Sequence, residues 1–218
     1  MNSSFQTVNW RLRCGAEISL RRVVPADAEG LGALISRLSP KARRERFHGA
    51  VSSLSDDRLK QMSSVDQQRH VAFVMTEASS GFENIVADIR YVVDPVYTAF
   101  DGTRTAEFAV VVDDRWQRRG LGTRAIAALS EAARGDELDW LCGRVLTQNL
   151  AMLALLRKCN FCCTLDREDD SVVCAEVSLA NGPSVSKHSL MQRAMFWKPW
   201  RKPLVWSSNA IHGAHGHA

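Results

Sequence analysis

Hydrophobic and polar positions along the chain switch between a period near two and a period near 3.6, and the switches mark its elements. Residues 18–24 read as a strand. Pro25-Ala26-Asp27 then opens a helix in which Leu31, Leu34, Ile35 and Leu38 recur at i, i+3, i+4 and i+7, a stripe that must face a core. Ser39-Pro40 ends it, and residues 41–47 predict a short basic helix whose Arg43, Arg44 and Arg46 read as a solvated face. Ser55-Asp56-Asp57 caps a third short helix, because a hydroxyl and acidic side chains favour the orphan amides of a first turn. Residues 71–75, 85–93 and 106–112 are rich in β-branched and aromatic types. Ser-Ser-Gly and Asp-Gly turn signals separate them, the pattern of an antiparallel meander. An Ala-rich helix to about Arg134, a strand over 138–146, a helix over 149–158 and short strands over 161–165 and 172–179 complete an α+β pattern. The expected fold class is a mixed, mostly antiparallel sheet flanked by helices.

Composition narrows the class. The chain has 218 residues, 45% hydrophobic and 24% charged, which suits one folded domain with a tail and excludes a disordered or coiled-coil chain. Charges interrupt every apolar run before it reaches the roughly 20 residues of a membrane helix. Residues 1–17 contain no apolar h-region, so a cytoplasmic location is expected. Six cysteines, Cys14, Cys142, Cys159, Cys162, Cys163 and Cys174, lack a second pair or a histidine at zinc-binding spacing; they read as reduced thiols, and no metal is expected. The net charge of +4 is unevenly placed: Lys187, Arg193, Lys198, Arg201 and Lys202 follow Gly182 with no acid among them, leaving 23 basic against 24 acidic side chains before it. With Trp197, Trp200 and Trp206 interleaved and Pro199 and Pro203 breaking any helix, residues 181–218 read as a disordered basic tail able to touch an anionic surface. No nucleic-acid-binding motif accompanies it. His212, His215 and His217 read as part of that terminus, and His48 and His70 as structural residues.

The candidate chemistry lies between strand 106–112 and the Ala-rich helix, at Gln117-Arg118-Arg119-Gly120-Leu121-Gly122-Thr123. Backbone amides entering a helix, with its positive end behind them, cradle phosphate, and glycines let the backbone approach the ligand. Arg118, Arg119 and Arg124 supply countercharge for a diphosphate or a ribose phosphate. A dinucleotide fold would want an acid ending the next strand, and that acid is missing.

This turn resembles the acyl-CoA signature of the GNAT family of N-acetyltransferases, [Gln or Arg]-x-x-Gly-x-[Gly or Ala]. The strand 106–112, the Asp-Asp-Arg-Trp lead-in and Asn149 opening the next helix fall in the family's order. The resemblance covers about residues 18–179, so the expected organisation is an N-terminal extension over 1–17, a GNAT domain over 18–180 and the tail. Leu38-Ser39-Pro40, Arg46-Phe47, Ala106-Glu107-Phe108-Ala109, Arg144-Val145-Leu146 and Met152-Leu153 are closest to the bacterial protein-lysine acetyltransferase-like branch. It implies acetyl-CoA as co-substrate. The backbone of Val110, Val111 and Val112 would pair with the pantetheine arm in a splay between the family's fourth and fifth strands. Gln117, Arg118, Arg119, Gly120, Leu121, Gly122 and Thr123 would hold the diphosphate. Asn149, with Met152 beside it, would hydrogen-bond the pantetheine, although an Asn opening a helix is also an ordinary N-cap.

Transfer to an amine requires the amine neutral, and the resemblance implies Glu107 as general base. Alternation puts its carboxylate on the face of Ala109 and Val111. If that face is the cleft, burial raises its pKa toward a useful value; if it is not, Glu107 is a solvated acid on a strand. Two departures stand out: Lys158-Cys159-Asn160-Phe161 replaces the family's Lys-Leu-Gly-Phe, and Leu156 stands where many members carry a Tyr that protonates the departing thiolate. The implied activity is acetyl transfer to an amine, a protein lysine first and a small-molecule amine second. A non-catalytic CoA-binding regulatory module is the reading from another class.

Overall fold

The computed structural model describes residues 5–79, 82–94 and 103–179. The expectation for the tail at 181–218 lies outside them. Eight strands form one sheet: β1 Val8–Arg11, β2 Glu17–Arg22, β3 His70–Ser79, β4 Phe82–Asp94, β5 Thr105–Val112, β6 Trp140–Leu146, β7 Cys162–Leu165 and β8 Val172–Ser178. Their order is β1-β2-β3-β4-β5-β6-β8-β7. Every neighbouring pair is antiparallel except β5 and β6. Five described α-helices flank it: α1 Ala28–Arg37, α2 Pro40–Phe47, α3 Asp56–Ser63, α4 Leu121–Gly135 and α5 Leu150–Lys158.

Alternation along the strands sorts side chains onto two faces. One carries Val71, Phe73, Met75, Ile89, Phe108 and Val110 against Leu121, Ala125, Ile126 and Leu129 of α4 and Leu153 and Leu156 of α5. The other carries Ala72, Val74 and Val111 against Leu31, Leu34, Ile35 and Leu38 at α1, with Phe47 and Met62 from α2 and α3. Complete burial of each α1 leucine or isoleucine is worth about 2 kcal/mol, so this stripe rather than intrinsic propensity seats the helix. The caps fall where hydroxyls precede helices: Ser39 Oγ accepts from Ala42 N at 3.1 Å, and Ser55 Oγ from Arg58 N at 3.3 Å.

Two features differ from the sequence reading. The sheet begins before Ile18, because Val8–Arg11 pairs antiparallel with β2 from Val8↔Leu20 to Arg11↔Glu17. Part of the expected N-terminal extension is therefore an edge strand. The basic helix α2 is not wholly solvated either: Arg46 is buried, its Nη2 3.1 Å from Asp88 Oδ2 on β4.

The parallel join between β5 and β6 is short. Thr105 pairs with Trp140, Ala106 with Leu141 and Glu107 with Cys142, and there the described pairing stops. Residues 108–112 continue on β4 alone and residues 143–146 on β8 alone. The sheet thus opens into a wedge at Glu107. In this chain the wedge falls between the fifth and sixth strands, since the N-terminal hairpin adds one to the family's count.

Candidate active site

The open edge of β5 is one wall of a cleft of about 310 Å³. Its lining brings together Glu107, Val110, Val111, Val112, Gln117, Arg118, Gly120, Gly122, Thr123, Asn149 and Met152. Two of the residues expected at the site lie elsewhere. The side chain of Leu121, the first residue of α4, is buried in the core, and Arg119 lies outside the cleft lining, its guanidinium 4.9 Å above the Trp116 ring.

The phosphate turn is built by its neighbours. Asp113, 1% exposed at its side chain, accepts from Arg115 Nη2 at 2.9 Å and Arg37 Nε at 3.2 Å. Burial pushes its carboxyl up, but Arg115 and Arg37 outweigh it and hold the group below the usual range. Gln117 Nε2 donates back to Val112 O at 3.1 Å, fastening the end of β5 to the turn. Arg118 at φ 58° and Gly120 at φ 86° are both left-handed, a conformation that Gly120 adopts without Cβ strain. The reversal turns successive N–H groups toward one side at the start of α4, an anion-binding concavity. At Gly122 the constraint is closeness, since a Cβ there would lie 2.9 Å from Leu155 Cδ2.

Asn149 caps α5: its Oδ1 accepts from Met152 N at 3.0 Å, leaving the Nδ2 donors for another partner. Leu156 is fully buried in the α4–α5 core, while Leu155 and Met152 line the cleft. The position where many relatives carry a tyrosine therefore points away from the wedge. Asn160, with φ 65°, takes the left-handed conformation that the family's glycine serves.

Sequence reading did not include Glu45, Arg46, Phe47, His48 and Arg144 among the site residues, yet all line the same cleft as Glu107. Arg46, Phe47 and His48 end α2, with His48 as a left-handed cap whose N–H donates to Arg44 O at 2.8 Å. Alternation from Cys142 could have put Arg144 on the face of Glu107, but nothing in the sequence registers β6 on β5. Burial depresses His48, and the Arg144 and Arg46 charges add to it, so its imidazole is neutral at pH 7. Burial raises the Glu45 carboxyl, with Asp114 adding to the rise against Lys41. The two arginines have acidic partners of their own: Asp88 for Arg46, and Asp166 Oδ2 at 3.2 Å for Arg144. Cys142, opposite Glu107, is no nucleophile. Burial first, and then Glu107 and Glu176, drive its thiol well above the ordinary value. Among the described residues no group of three or more His, Cys, Asp or Glu could hold a metal ion, and no helix is long and apolar enough to cross a membrane.

A splayed parallel pair with a glycine turn at the foot of its open strand is an arrangement for an extended, phosphate-bearing ligand. Residues 40–161 match the model of the Acetyltransferase (GNAT) family, more than half of the chain, and the chain belongs to that family. Acetyltransferase Pat of Mycolicibacterium smegmatis is 30% identical over 169 residues, 78% of this chain and 48% of that protein. The chain thus spans about half the length of this relative. The GNAT domain of PAT from S. lividans shares the fold with a TM-score of 0.68 at 22% identity, covering 79% of this chain and 96% of that one. The structure of yncA from Salmonella typhimurium, determined with its cofactor acetyl-CoA, matches at a TM-score of 0.58 and 15% identity over 78% of this chain and 98% of its own.

Proposed function

We propose that this protein transfers the acetyl group of acetyl-CoA to an amine, with Glu107 as general base and a protein lysine as acceptor. The observation that carries the reading is the position of Glu107 at the last paired row before β5 and β6 part, on the wall of the cleft that ends in the phosphate turn. The cleft fits acyl-CoA. The left-handed Arg118 and Gly120 present amides to a diphosphate, Phe108 and Val110, whose backbone groups face away from β4, offer N–H and C=O groups to a pantetheine arm, while those of Val111 are spent on β4, and Asn149 Nδ2 has donors to spare. Acetyl-CoA supplies the electrophile, a thioester carbon. A lysine arrives as an ammonium with no lone pair, so its proton must leave before nitrogen can bond to that carbon and the C–S bond can break. Glu107 takes that proton, and the second proton, lost from nitrogen as the C–S bond breaks, leaves with the sulfur as the CoA thiol.

Glu107 and Glu45 both line the cleft and offer carboxylates to a cationic amine, while Arg46 shares Asp88 with Arg90 and Arg144 pairs with Asp166. The M. smegmatis relative, named Acetyltransferase Pat, supports acetyl transfer as the reaction.

The test is Glu107→Gln, which keeps shape and loses the proton acceptor. We expect kcat to fall by about 10²- to 10⁴-fold near neutral pH, with acetyl-CoA affinity by calorimetry nearly unchanged. The acidic limb of the wild-type rate profile should vanish in the variant. Wild-type turnover and an unaltered profile would remove Glu107 as base. Incubation of a deacetylated lysate with protein and acetyl-CoA, read by mass spectrometry beside a panel of small amines, tests the acceptor. Acetylation of small amines alone would overturn the lysine assignment, and turnover of neither would favour a regulatory CoA-binding role.

A further inference from the structure

The N-terminal hairpin reaches the phosphate turn outside the lining of the cleft. Its loop closes with Leu12 N on Ala16 O at 2.8 Å and Gly15 N on Leu12 O at 2.9 Å. From β1, the ring of Trp10 lies under the Arg124 guanidinium at 4.6 Å. From the loop, Cys14 Sγ stands 3.2 Å from Nη1 of Arg119, whose other contact is the Trp116 ring. Both arginines are exposed, and among the described residues neither forms an ion pair. Arg118 lines the cleft; Arg119 and Arg124 do not. The turn therefore divides its cations between two sides, one facing the wedge and one facing the hairpin.

A guanidinium held over an indole keeps N–H groups free for an anion and loses little freedom when one arrives. Two such groups, one just before Gly120 and one just after Gly122 in the chain, are cations suited to a dianionic phosphate, beyond what a diphosphate held by backbone amides requires. Acyl-CoA carries one more phosphate than its diphosphate, the 3′-phosphomonoester on its ribose. We propose that the β1–β2 hairpin is a specificity element for that group, with Trp10 and Trp116 positioning Arg124 and Arg119 as its donors. The inference rests on the acyl-CoA reading of the cleft. It also accounts for the edge strand, because without the hairpin Arg124 would have no stacking partner and Arg119 would lose its contact with Cys14.

The test compares acetyl-CoA with 3′-dephospho-acetyl-CoA by calorimetry at fixed ionic strength. Wild type should prefer the phosphorylated form by about 10- to 100-fold, the scale of one or two hydrogen bonds to a charged group. Arg124→Gln and Trp10→Leu should weaken acetyl-CoA and leave the dephospho form alone, so the ratio falls toward one, while Trp10→Phe retains most of it. Arg124 is exposed, so its variant reports on the site even if Trp10→Leu disturbs the edge strand. Alkylation of Cys14, followed by peptide mass spectrometry, should be slowed by CoA and not by dephospho-CoA. Equal affinities for the two ligands in wild type, or equal losses for both in Arg124→Gln, would overturn the inference and leave the acyl-CoA site standing. Binding of neither ligand would remove the acyl-CoA reading and the inference with it.

Discussion

Asp88 illustrates how single side chains hold the acceptor end of the cleft in place. It lies between two guanidiniums, Arg46 Nη2 at 3.1 Å and Arg90 Nε at 3.0 Å, with all three side chains at most 3% exposed. Burial pushes the Asp88 carboxyl up, but Arg90 and Arg46 prevail and keep it below the ordinary range. Asp88→Asn would take from two buried cations the carboxylate they share, and we expect a loss of about 3–5 kcal/mol in denaturant unfolding. His70 completes the network, its Nε2 3.2 Å from Arg90 Nη1, so the neutral ring accepts there and carries its proton on Nδ1. Burial first, then Arg90 and Arg46 against Asp88 and Asp66, lower its pKa to about 4. Because the folded state resists a proton that the unfolded chain binds near pH 6.5, the His70 contribution is complete above that pH. It drains away as the pH falls toward 4. Allowing for the ring's residual exposure, the drop is roughly 2 kcal/mol, and His70→Gln should flatten stability between pH 6.5 and 4.5. An equally steep fall in the variant would acquit His70. None of this was legible in the sequence. Arg46 reads as one of a basic run, and its burial depends on Asp88, which lies on a strand 42 residues further along.

At the scale of elements, the site is a failure of pairing, and the failure has a steric wedge behind it. Phe108 on β5 packs edge-on against Phe161, with ring centroids 5.4 Å apart and planes at 71°. Its ring also covers Gly143 on β6, where a Cβ would meet Phe108 Cε1 at 2.7 Å and Cζ at 2.8 Å. Phe108 thus occupies the room that a side chain at 143 would need, immediately after the last paired row. Gly143→Ala must displace that ring, and Phe161 limits its retreat. We expect about 1–3 kcal/mol of destabilisation together with weaker acetyl-CoA binding, since Phe108 and Val110 both line the cleft. Gly143→Ala with Phe108→Leu should recover much of the stability; no recovery in the double variant would exclude this clash as the cause. The strands, the glycine turn and the capped helices follow from local period and capping chemistry, which is why they are readable in the sequence. The length of the β5–β6 join is not. It depends on an aromatic contact between residues 108 and 161 and on a register that no local pattern encodes.

For the whole molecule, the residues lining the cleft fall between Ala42 and Leu155, and the family match falls between 40 and 161. The charge surplus lies elsewhere. The net +4 arises after Gly182, and the preceding residues, with 23 basic and 24 acidic side chains, are close to neutral. Chemistry and charge are thus placed at separate stretches of the sequence, and a truncation after Asn181 separates them experimentally. Because the cleft has all its described lining residues upstream, the shortened protein should turn over acetyl-CoA and an acceptor peptide at nearly the full rate. Because the surplus charge is gone, it should lose whatever affinity the full chain has for vesicles containing phosphatidylserine. Five cations at about 1 kcal/mol each are enough for measurable adsorption at low ionic strength, and that adsorption should fade as salt shortens the screening length. Sedimentation with phosphatidylserine and phosphatidylcholine vesicles, run beside the peptide assay, reads both halves. Equal sedimentation of the two proteins would discard the tail as an anionic-surface contact. A large loss of turnover on truncation would show that the segment after Asn181 supports the site, and the boundary drawn from composition at residue 181 would have to move.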